Sequence, residues 1–132
     1  MDTRKDVAAL AGRVLLAGMF VWAGFGKAVG YDGTAGFMAS AGMPLVGVLL
    51  PLTILVELGG GIALIVGWKA RWVALALAVF TLLATLTFHN FWAMKPEDVM
   101  TNMLFFYKNV AVIGGMLMVF AFGPGKYSVD RG

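Results

Sequence analysis

Cysteine is absent from the chain, and with it go disulfides, thiolate metal sites and any redox chemistry carried on the protein's own sulfur. Charge is scarce: 13% of the 132 residues are Asp, Glu, Lys or Arg, roughly half the usual share, and the basic residues stand singly, which excludes a nucleic-acid surface. Histidine occurs once, as His89, too little for a metal cluster or paired haem ligation. The glycine-rich stretch GYDGTAG from Gly30 lacks the lysine of a phosphate loop. No constellation for catalysis remains, so the chain is not expected to act as an enzyme alone.

What is present is apolar. Hydrophobic residues make up 61% of the chain, and its 18 glycines are spread among Leu, Val, Ala and Phe, a composition of packed apolar helices in lipid. Runs long enough to cross about 30 Å of hydrocarbon at about 1.5 Å per residue cover about 7–26, 45–67, 72–92 and 103–122. The third has no charged residue, carries tryptophan at both ends and holds only His89 as an ionisable group. The first imitates a signal peptide but is too long for a typical apolar core and leads to Lys27 without a persuasive cleavage site, so it reads as a span. The expectation is one all-α domain over residues 1–132, a transmembrane antiparallel four-helix bundle with short connections.

Four spans place both termini on one side. That side holds Arg4, Lys5, Arg13, Lys69, Arg71, Lys126 and Arg131, against Lys27, Lys95 and Lys108 on the other, so the excess of positive charge puts the termini in the cytoplasm. Small residues at four-residue spacing, Ala8/Gly12, Ala70/Ala74/Ala78 and Ala111/Gly115, read as helix-packing seams.

Charges at bilayer depth cost at least about 2.5 kcal/mol each, so every one needs a partner, a water path or a function. Glu57 lies near the middle of the second span. Arg13 lies about two turns inside the first, and its long side chain reaches further, so the two are expected to form a buried ion pair between neighbouring helices. Gly60 and Gly61 fall on the Glu57 face and admit a close neighbour, and Thr53 lies on that face too. Glu57 then serves either as half of a register-fixing salt bridge or as a proton-accepting carboxylate in a site or transport path.

A second polar group gathers near the opposite surface: Lys27, His89, Asn90, Lys108 and Asn109, with Tyr31, Trp22, Trp92 and Tyr107 at a similar level. Their convergence reads as a pocket for an anionic or carbonyl-bearing ligand, such as a lipid headgroup or quinone ring. The competing reading is a set of lysines reaching for the interface, an aromatic belt and a hydrogen-bonded core histidine.

The blocks RVLLAGMFVWAGFGKA from Arg13, FMASAGMPL from Phe37, ELGGGIALIVG from Glu57, FTLLATLTFHNFW from Phe80 and KNVAVIGGML from Lys108, in this order, resemble the DoxX family of small bacterial and archaeal membrane proteins. The resemblance implies a four-helix membrane bundle with characteristic polar positions at Arg13, Lys27, Glu57, His89, Lys108 and Asn109. Relatives similar to subunits of terminal quinol oxidase preparations and of thiosulfate:quinone oxidoreductase imply a quinone-associated or accessory subunit of a membrane redox system. Quinone is then the candidate ligand, with no covalent cofactor and no metal. The partners expected are the bilayer, redox proteins and further copies of the chain. A small proton-coupled transporter and an assembly protein without a ligand site are the rival readings.

Overall fold

The computed structural model describes residues 3–130, and no β-strand occurs among them. Helix α1 spans Thr3–Val29 and α2 spans Tyr31–Ser40. The second crossing is a composite: α3, Val46–Ile54, runs through a π-helical segment, Leu55–Gly59, into α4, Gly60–Val66. Helix α5, Ala70–Phe88, continues through a short 3-10 turn, Phe91–Ala93, and α6, Pro96–Phe122, completes the chain of helices. Four of these units are long and apolar enough to cross a membrane: Thr3–Val29, Val46–Val66, Ala70–Ala93 and Pro96–Phe122.

The ends of the spans follow local chemistry. Helix α6 begins seven residues before its apolar run, because Pro96 suits the first helical position and Glu97 and Asp98 sit where the positive end of the helix dipole favours them. Lys27 occupies the last turn of α1, where the dipole favours a cation. Gly67, at φ 78°, ends α4 in the left-handed conformation that glycine adopts without strain. In the second crossing, Pro51 has no N–H to donate within α3, and one turn later the helix widens into the π turn that carries Glu57.

The buried core lies toward the end of the bundle that holds the termini. It joins Ala17 and Phe20 of α1, Leu64 of α4, Ala70, Ala74, Leu77 and Ala78 of α5, and Met116 of α6. The Ala70/Ala74/Ala78 row is thus a packing seam, and at Gly115 an added Cβ would lie 3.0 Å from Leu16. Gly12 is different, with nothing within 4 Å of an added Cβ, so the Ala8/Gly12 pair seals no seam. Gly60 takes α5 at close range, its added Cβ falling 3.1 Å from Leu77, while Gly61 takes α1, 2.7 Å from Val21.

Candidate functional site

The antiparallel register of α1 against the second crossing decides which charges meet. Gly24 lies against Glu57 and Leu58, Gly61 against Ala17 and Val21, and Ile65 against Arg13. Arg13 is therefore eleven residues, about 16 Å of helix rise, from the level of Glu57, well beyond the reach of its side chain. The expected Arg13–Glu57 pair does not form. Lys27, one turn beyond Gly24, supplies the cation instead, with Nζ 2.8 Å from Glu57 Oε1.

Arg13 is 2% exposed and finds backbone carbonyls rather than a carboxylate. Its guanidinium donates to Ile65 O at 3.1 Å, to Tyr127 O at 2.6 Å and to Pro124 O. Ile65 sits in the last turn of α4, whose unpaired carbonyls carry partial negative charge, so the cation is stabilised without an anion. The other acceptors belong to the segment after α6, which folds back along the ends of α1 and α4. Val129 N–H donates to Val66 O at 2.9 Å and Asp130 N–H to Gly67 O at 3.1 Å. The Asp130 carboxylate accepts from Ala70 N–H at 2.7 Å, at the start of α5. Bonds from the Ala70 and Lys69 backbone N–H groups hold the Asp130 carboxyl below its ordinary range. The last residue of the charge count, Arg131, lies outside the described residues.

With Arg13 engaged elsewhere, Glu57 belongs to a cavity. Beyond the core, toward the surface opposite the termini, α3 and α5 diverge around a space of about 540 Å³. Met, Phe and Leu supply nine of its twenty lining residues and polar or charged side chains another nine, and α2 covers it, with Phe37 stacked on Phe88 at 5.8 Å between ring centroids. Lys27, Glu57, Thr53, His89, Lys108 and Asn109 all line this one space. Asn90 does not, since it turns the chain into the 3-10 segment, where its carbonyl accepts from Ala93 N–H at 3.0 Å. Trp22, Trp92 and Tyr107 are exposed on the bundle surface, outside the cavity.

Glu57 is 6% exposed, and its Oε1, though close to Lys27, accepts no well-directed hydrogen bond. The π turn aims it inward, and Gly24 lets α1 lie against it: a Cβ at position 24 would fall 2.9 Å from the Leu58 backbone nitrogen. His89 Nδ1 is 2.9 Å from Asn102 Oδ1, and its ring centroid is 5.1 Å from that of Phe105. Lys108 Nζ sits 5.3 Å from the centroid of the same Phe105 ring. Asn109 Nδ2 donates to Thr85 Oγ1 at 2.9 Å, linking α6 to a buried threonine of α5. Sequence reasoning passed over Asn102, Thr81 and Thr85. Asn102 and Asn109, seven residues apart, share one face of α6, and this was the available signal.

The DoxX family model matches residues 8–90. The chain is 44% identical over 131 residues to inner membrane protein YqjF of Escherichia coli, covering 99% of this chain and 95% of that protein. It is 32% identical to inner membrane protein YphA of the same organism over 127 residues, 96% of this chain and 91% of the relative. It is also 25% identical to the ER-derived vesicles protein ERV29 of Saccharomyces cerevisiae over 98% of its length, spanning 35% of that longer protein. No solved structure matches the chain at a significant level. Four apolar crossings and these inner-membrane relatives make this a multi-pass membrane protein, and the chain belongs to the DoxX family.

Proposed function

We propose that this protein holds a small amphipathic molecule of the quinone class in the cavity between α3 and α5, and that it serves there as an accessory subunit of a membrane redox system. One observation carries the reading: an apolar space of about 540 Å³ has Lys27, Glu57, His89, Lys108 and Asn109 on its walls. Its apolar part suits a ring and the first units of a lipid tail, and its polar groups orient the head. The excess of basic residues on the terminal side supports cytoplasmic termini, a topology in which the cavity faces the outer leaflet.

The test is to extract the protein from its membrane in polymer-bounded lipid discs and identify the bound molecules by mass spectrometry. Quinone is expected with the wild type and is lost in His89→Ala and Lys108→Ala. Absence of quinone, together with membrane redox activity unchanged by both substitutions, overturns the proposal.

The buried Glu57 on the cavity wall, ion-paired to Lys27, favours a second reading as a small proton-coupled carrier. In proteoliposomes that reading requires a flux driven by a proton gradient and abolished by Glu57→Gln.

A further inference from the structure

The polar groups on the cavity wall divide unevenly once their existing bonds are counted. Thr81 Oγ1 donates its proton to Leu77 O at 2.7 Å and Thr87 Oγ1 to Leu83 O at 2.8 Å, so each hydroxyl keeps only lone pairs for a guest. Asn109 spends one amide N–H on Thr85 Oγ1 and keeps the other together with Oδ1. Lys27 is ion-paired to Glu57 and Lys108 lies over the Phe105 ring, and each ammonium still has N–H groups for a guest oxygen.

His89 follows the pattern of the threonines through a neighbour that does not line the cavity. Asn102 Nδ2 donates to Asp98 O at 3.0 Å, which fixes its Oδ1 as the atom facing His89 Nδ1. Nδ1 therefore carries the proton in the neutral ring, and Nε2 is left as a bare acceptor. Glu57 is already paired, its Oε1 lying 2.8 Å from Lys27 Nζ. Thr34 and Thr53 can serve either way. The ammonium and amide donors can still serve a guest oxygen, whereas Nε2 of the neutral His89 ring can serve only a guest proton.

We infer that the cavity selects the hydroxyl-bearing, hydrogen-bond-donating form of its guest, a neutral alkyl-chain phenol or alcohol, and that Asn102 is the positioning residue that keeps His89 Nε2 free to accept. A carbonyl-only head takes a lysine N–H but leaves Nε2 unmatched, a hydroxyl answers both, and a cationic head would meet both Lys27 and Lys108. The inference rests on the ligand reading above and names, within the quinone class, the reduced hydroquinone as the matching partner. An aliphatic lipid alcohol offers the same donor.

Four probes separate the cases in titrations of the full-length protein in lipid nanodiscs: 4-nonylphenol, its methyl ether, 1-decanol and its methyl ether. At least about a tenfold preference for a hydroxyl probe over its own ether is expected, the ratio for one hydrogen bond left unmade. A preference confined to the phenol pair assigns an aromatic guest, and one confined to the decanol pair an aliphatic guest. Asn102→Ala is expected to bring the ratio near unity while leaving ether binding unchanged.

Because the chain has a single histidine, its imidazole 15N spectrum is assigned without ambiguity. Nδ1 should appear protonated and Nε2 bare, with the Nε2 signal moving on addition of the hydroxyl probe and not of its ether. Equal binding of each alcohol and its ether, or a protonated Nε2 in the neutral ring, overturns this inference while leaving the ligand reading intact. Failure of all four probes to bind removes both.

Discussion

Glu57 can be asked directly which cation it answers to. Three substitutions, Arg13→Met, Lys27→Met and Glu57→Gln, and the two double variants that include position 57 form two thermodynamic cycles. At the observed 2.8 Å the Lys27–Glu57 attraction is at most about 6 kcal/mol for an effective dielectric constant near 20. Lys27 is 31% exposed, so water screening and the entropy of holding its long side chain reduce the measurable coupling to about 1–3 kcal/mol. Arg13, about 16 Å away along the register, is worth about 1 kcal/mol before screening and should add to Glu57 almost independently. Unfolding by sodium dodecyl sulfate in mixed micelles, followed by circular dichroism under reversible conditions, gives the required free energies. A coupling between Arg13 and Glu57 equal to or larger than that between Lys27 and Glu57 would refute the register that sets Gly24, and not Arg13, at the level of Glu57.

The fastening of the chain end and the helix contacts yield three further outcomes. Arg13→Ala removes charge-assisted bonds worth about 1.5–3 kcal/mol each, which overlap rather than add, and should release the Pro124–Asp130 segment to proteolysis while α1–α6 keep their helicity. The Asp130 contact should be pH-dependent: its carboxyl titrates below the ordinary range when folded, so its stabilisation is complete above that range and lost as pH falls through the lowered value. Amide exchange at Ala70 should report this loss, and Asp130→Asn should abolish the pH dependence. Gly24→Ala and Gly61→Ala each press a Cβ against a neighbouring backbone and should cost about 1–3 kcal/mol in the same unfolding assay, whereas Gly12→Ala and Gly18→Ala, with open space around them, should change stability by less than about 1 kcal/mol and toward the stable side.

Hydropathy made the four crossings legible because each must satisfy its own backbone in lipid, and only a helix of sufficient length does so. It lost the ends, since a window that counts apolar residues stops at Lys27, Glu97 and Asp98, whereas the helix dipole welcomes those charges inside the terminal turns. It was also blind to α2, whose two internal glycines and Asp32 look like a loop. Of the site, depth alone singled out Lys27, His89, Asn90, Lys108 and Asn109, and all but Asn90 line the cavity. Partner assignment failed at Arg13 because aligning the midpoints of two spans assumes that neighbouring helices share a centre. Here α1 turns into α2 at Gly30, and the second crossing lies displaced along it, so that Glu57 faces Gly24. Nor does a residue list show that a buried guanidinium can be satisfied by the spare carbonyls of a helix end and a returning chain segment.

Two of the four basic residues of α1, Arg13 and Lys27, lie in contrasting settings. Near one end, Arg13 ties its helix to α4 and to the returning chain end through backbone carbonyls, and the Asp130 carboxylate of that chain end accepts from Ala70 N–H. Toward the other, Lys27 shares a cavity wall with the deeply buried carboxylate, where a guest's hydrogen bonds or a change of protonation act on the pair directly. A carrier must open its site to each side in turn, and here the terminal side is blocked by the Ala70/Ala74/Ala78 seam, by Met116 and by the strap on Arg13. Opening it would require breaking both the charge-assisted bonds of buried Arg13 and the contact of Asp130 with Ala70. The arrangement fits a one-sided receptor for a lipid-soluble molecule better than it fits alternating access.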